Sequence, residues 1–221
     1  MPELSFHVEG AEPVPFAASP LLSFKLRIVA AGTGPEAADL SIQTVVLRAQ
    51  IRIEPARRSY VPTEQAGLLD LFGEHHRWGQ TLKSLLWTHT SLIVPSFTGT
   101  TLVDLHVACS YDFNLAVTKY FHSLENGEIP LCFLFSGTIF FSGQDGTLEV
   151  TQIPWENEAS FRLPVSTWRS MMDLYYPNTS WLCLRRDVFN RLYQYKTQSG
   201  LPTWEETLER LLSAGHKGGA S

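Results

Sequence analysis

The sequence predicts an α+β protein: an antiparallel meander sheet of four or more strands, with C-terminal helices packed on one face. Three observations predict it. Leu40–Ile53 and Leu102–Phe121 alternate apolar and polar residues, Ile129–Phe141 is apolar on both faces, and the chain beyond Pro164 changes to helical spacing. The 221 residues are assigned to a single domain, 1–221. Within it, 54–100 is a partly helical insertion and 202–213 an extra C-terminal helix.

Ser5–Val8 and Ser23–Val29 read as short strands, followed by a Gly-, Ala- and Pro-bearing loop over Ala30–Asp39. In Leu40–Ile53, Val45, Leu47, Ala49, Ile51 and Ile53 share a face opposite Val46, Arg48, Gln50 and Arg52. In the insertion, Thr63 starts a short helix that runs to Phe72. His75–Thr90 reads as helical or irregular and carries Trp78 and Trp87.

Leu102–Phe121 reads as one strand, with Val103, Leu105 and Val107 on one face and Asp104, His106 and Asp112 on the other. In Ile129–Phe141, Leu131, Phe133, Phe135 and Ile139 oppose Cys132, Leu134 and Phe140, so this strand needs a cover on each side. Gly143–Gly146 is a hairpin turn into a strand over Thr147–Pro154. Helices follow. Pro164 opens one with Trp168, Met171, Met172 and Tyr175 at helical spacing, Asp187–Gln198 forms a second, and Thr203 caps a third.

Composition narrows the function. Seventeen Lys and Arg against 22 Asp and Glu give a net charge of −5, which argues against a broad nucleic-acid footprint. No apolar run has the roughly 20 residues that cross a bilayer, so no membrane association is expected. Three widely spaced cysteines in apolar settings point to buried thiols and a cytoplasmic setting. No phosphate-loop, dinucleotide, nucleophile-elbow or zinc-protease motif occurs, and no cofactor is expected. Asp104, His106 and Asp112 are the candidates for an enzyme or metal site, although a solvated sheet face has the same content. The candidate binding residues are Trp78, Trp87, Leu134, Phe140 and Trp204, because large apolar side chains on an uncovered face, an inserted block or the terminal helix favour a protein partner.

The order of sheet, helix, Tyr176-Pro177, Leu182-Cys183-Leu184 and second helix resembles the layout of the export chaperone SecB. That resemblance implies an oligomer holding a client polypeptide in apolar grooves. The fuller pattern, with V-P-S-F at Val94–Phe97, S-Y-D-F at Ser110–Phe113, F-L-F-S-G-T at Phe133–Thr138 and L-P-T-W-E at Leu201–Glu205, is similar to a family of uncharacterised actinobacterial proteins. Members of that family tend to occur near nickel–iron hydrogenase genes, which implies a hydrogenase accessory or assembly role. The leading expectation is therefore a non-catalytic, chaperone-like or assembly protein that binds a protein partner or client and forms a homo-oligomer. The alternatives are an enzyme or metal-binding protein using the polar face of 102–121, and a structural subunit of a larger complex.

Overall fold

Two long strands open the chain. In the computed structural model, which describes residues 2–32, 41–109, 115–143, 145–179, 182 and 184–218, β1 (Pro2–Pro13) and β2 (Leu21–Gly32) pair antiparallel. Leu4, Phe6, Leu22, Phe24, Leu26 and Ile28 are buried on one face at period two. The tip of this hairpin is fixed by a side chain distant in sequence: the Tyr175 hydroxyl donates to the Val14 carbonyl at 2.5 Å and accepts from the Ala17 N–H at 2.9 Å.

β3 (Ser41–Ile53) buries Val45, Leu47, Ala49, Ile51 and Ile53, as its alternation predicts. Three short helices follow, α1 (Pro62–Gly67), α2 (Leu69–Phe72) and α3 (Trp78–Thr81). The Glu64 carboxylate, rather than Thr63, takes the Val61 N–H at the start of α1. β4 (Leu85–Val94), β5 (Phe97–Thr98) and β6 (Thr100–Ala108) come next, then α4 (Leu115–Ser123), β7 (Glu128–Ser142), β8 (Leu148–Gln152) and β9 (Glu158–Pro164). α5 (Val165–Tyr175) starts after Pro164 and buries Trp168, Met171 and Met172.

The strands form two antiparallel sheets. One has the order β1-β2-β6; the other has the order β4-β3-β7-β8, with β5 on β3 and β9 on β7. Their inner faces meet through aromatic rings: Phe6 stacks on Phe135 at 4.3 Å, and Phe24 lies edge-on to Phe133 at 5.2 Å. The α+β class and the antiparallel sheet are as expected, with one strand placed differently. β6 pairs with β2 rather than joining β3, β7 and β8, because its neighbour in register is Leu21–Val29.

The structure also corrects the extent of two elements. The strand expected over Leu102–Phe121 ends at Ala108, and Leu115–Ser123 is a helix that buries Val117, Tyr120 and Phe121. Residues 110–114, including Asp112, and the loop residues 33–40 lie outside the described residues, as do Gln144 in the hairpin turn and Cys183. Within the insertion, Leu85–Val94 is a strand rather than a helix. A bulge opposite Ile51 and Arg52 inserts Trp87 as an extra residue and turns its ring inward.

By contact the chain divides into Met1–Thr179, which contains both sheets, and Ser180–Ser221. The second unit holds α6 (Arg186–Gln198) and α7 (Trp204–Gly218). Thr203 Oγ1 accepts the Glu206 N–H at 3.2 Å, the cap expected from the sequence.

Candidate binding surface

The outer face of the six-stranded sheet is built by the residues that alternate out of the core. In register across β4, β3, β7 and β8, this face presents Ile93 beside Val46 and Phe140 beside Val150, with Leu148 one pair further along β8. Ile93 is 71% exposed, Leu148 65% and Val150 55%, and Phe140 is half-buried between them. Singly exposed aliphatic residues are ordinary on a protein surface; here two apolar pairs share one face, offset from each other because Val46 pairs in register with Thr138 and Phe140 with Thr44. Phe140 borders a shallow hollow of about 510 Å³ with Thr44, Ser142 and Leu148.

Further along the same face the character changes. An open cleft of about 620 Å³ is lined by Arg48, Gln50, His89, Leu134, Ser136 and Trp155, among others. Arg48 and Gln50 come from β3, His89 from β4 and Leu134 from β7; Gln50 pairs in register with both His89 and Leu134. Trp155 is 83% exposed on the turn between β8 and β9. That turn is fixed to β7, because the Phe135 N–H donates to the Asn157 carbonyl at 2.9 Å.

The residues singled out from the sequence fall into distinct places. Leu134 and Phe140 lie on the outer face, as their alternation implied. Trp78 and Trp87 are 7% and 6% exposed and fill the interior. The Trp78 indole N–H donates to the Gly73 carbonyl, and Trp87 packs edge-on against Phe121 at 5.1 Å. Trp204 belongs to the second unit, where its ring lies 5.4 Å from Phe189 and Lys196 Nζ sits 5.8 Å above it.

Asp104 is engaged by neighbours on β2, accepting from Lys25 Nζ at 2.6 Å and Ser23 Oγ at 2.8 Å. The Lys25 bond, then the Ser23 bond, holds its carboxyl below the usual carboxylate range. His106 is exposed on the same face. Among the described residues, no group of three or more His, Cys, Asp or Glu is gathered as metal ligands would be. A carboxyl with a lowered folded-state pKa contributes stability above its unfolded value and loses that contribution as pH falls through the folded one. Urea unfolding is therefore expected to show Asp104→Asn less stable than wild type at pH 7, with the gap closing toward pH 3. A gap that stays constant over that range overturns the assignment. Both described cysteines have thiols pushed upward by burial, Cys109 to about 12, the reverse of an activated nucleophile.

The exposed Phe16 was not anticipated. It stands fully exposed at the β1–β2 tip with φ 60°, a conformation unusual for an aromatic residue, and the Tyr175 clamp holds the backbone on either side of it. The cleft was also missed, because His89 sits on an unrecognised strand and Trp155 on a turn whose path depends on Asn157.

These features define an α+β protein of two facing antiparallel sheets, one of which exposes a mixed apolar and cationic outer surface. The chain belongs to the family of unknown function DUF6084, which it matches over residues 1–219. No curated protein matches it. A solution structure assigned to a late embryogenesis abundant (LEA) protein is similar at 14% identity, with a TM-score of 0.32, covering 74% of this chain and 72% of that one. Among the described residues, no helix is long and apolar enough to cross a membrane.

Proposed function

We propose that this protein is a non-catalytic binding module that meets a polypeptide across the outer face of its six-stranded sheet. One observation carries the reading: the apolar side chains Ile93, Val46, Phe140, Val150 and Leu148 on that one face, with Ile93, Leu148 and Val150 more than half exposed. Burying these side chains against a partner gains about 25 cal/mol for each Å² of apolar surface removed from water. Self-association and capture of a client chain both use this surface, as the chaperone-like and assembly readings require. The resemblance noted from the sequence makes nickel–iron hydrogenase subunits the first partners to test.

Gel filtration with light scattering is expected to show an oligomer, or a stable complex with an unfolded client or a hydrogenase subunit. Phe140→Asp abolishes it. Val150→Asp, at a more exposed position, abolishes it without the risk of disturbing the fold. A strictly monomeric wild-type protein with no affinity for any of these chains overturns the proposal.

A further inference from the structure

We propose that the cleft beside Trp155 receives an acidic, extended polypeptide segment. A carboxylate of that segment pairs with Arg48, and an apolar neighbour packs on the indole. The inference rests on the reading above, that the outer sheet face binds polypeptide, and specifies the chemistry of the partner.

Charge complementarity carries it. The chain is acidic overall, at −5, yet the cleft is lined by Arg48 and His89 with no carboxylate among its lining residues. Glu156 does not line the cleft, and Glu158, in register beside Leu134, flanks it without lining it, its carboxylate lying 4.0 Å from the Cys132 thiol. The Arg48 guanidinium makes no hydrogen bond or ion pair with the described residues, although its backbone lies within the β3 ladders. The other guanidinium that this face of β3 presents, Arg52, donates to Ser84 Oγ at 2.9 Å. A planar guanidinium free to donate two parallel bonds is matched to a carboxylate. Gln50 and Ser136 add neutral donors beside it, and Leu134 with the 83% exposed Trp155 supplies the apolar wall. The mixture fits a segment that alternates acidic and apolar side chains, since an extended strand laid on the face turns alternate residues toward it.

The test uses the full chain and three capped hexapeptides: alternating Glu and Leu, the same with Gln for Glu, and the same with Lys for Glu. A thymidine oligonucleotide provides a fourth probe. Calorimetry is expected to show the Glu peptide binding about tenfold tighter than the Gln peptide and the Lys peptide weakest, with affinity falling as salt rises. Arg48→Glu reverses the charge preference, and Trp155→Ala weakens the Glu and Gln peptides alike. Both positions are exposed, so unchanged thermal melting confirms that the variants remain folded. Equal binding of the Glu and Gln peptides overturns this inference and leaves the binding face standing. Preference for the oligonucleotide overturns the inference in favour of a nucleic-acid ligand. Failure of every probe, together with a partner-free wild-type monomer in the light-scattering experiment, removes the parent reading as well.

Discussion

Gly137→Ala is expected to lower the unfolding free energy by about 4 kcal/mol or more, through backbone strain and overpacking together. Gly137 has φ 147°, and a Cβ placed on it falls 2.0 Å from the Val46 carbonyl oxygen, a backbone atom that cannot swing aside. The position is where β7 changes neighbours: β9 pairs with it up to Leu134, β8 from Thr138, and the Gly137 carbonyl accepts the Ile153 N–H between them at 2.9 Å. Gly146→Ala provides the control. Gly146 also has a positive φ, at 71°, but nothing lies within 4 Å of its added Cβ, so only the conformational cost of about 1 kcal/mol applies. Urea titration of the two variants beside wild type checks the contrast, and similar losses at both sites would show that the close approach to Val46 is not what requires glycine.

Glu64→Ala is expected to cost about 3–5 kcal/mol, the penalty for leaving a buried charge without its partner. The Glu64 side chain is 3% exposed and that of Arg58 8%. Glu64 accepts from Arg58 Nη2 at 2.7 Å, from the Glu125 N–H at 2.9 Å and from the Val61 N–H at 3.3 Å. One carboxylate therefore ties the segment after β3, the start of α1 and the approach to β7. Arg58 also reaches the Asn126 carbonyl at 3.1 Å and the Glu128 carbonyl at 3.3 Å. Adding Arg58→Met to Glu64→Ala is expected to recover part of the loss, because the stranded guanidinium disappears while the two orphaned N–H groups remain. A double variant as unstable as the sum of the two singles would show that the pair does not act as a unit.

Strand periodicity was legible in the sequence for β3 and β7 but not for β4, or for β9, whose short alternation burying Ala159 and Leu163 lies outside the expected strands. β3 and the inner face of β7 follow their alternation residue by residue, and the starts of α5 and α7 follow from Pro164 and Thr203. The failure after Ala108 has a specific cause. Val117, Tyr120, Phe121 and Leu124 recur at helical spacing, but the alternation preceding them was extended through that change of period. β4 was missed because the bulge at Trp87 breaks its alternation, burying Trp87 and Thr88 in succession. The candidate binding face was half legible. Leu134 and Phe140 could be placed on the outer side of one strand, whereas the cleft needs Arg48 and His89 from neighbouring strands and Trp155 from a turn. No local pattern encodes which strands lie side by side.

The Tyr175 hydroxyl spans 161 residues of sequence to hold Val14, and β1 lies alongside β9 at the far end of the same unit. During synthesis, the β1–β2 hairpin therefore leaves the ribosome long before the side chain that clamps its tip. Every described strand has been made by Pro164, yet that tip lacks its Tyr175 bonds until the end of α5 emerges. Contacts of such long reach slow folding to the millisecond-to-second range typical of sheet proteins. The Tyr175 contacts at the tip of the β1–β2 hairpin are thus made only after the strands of both sheets exist.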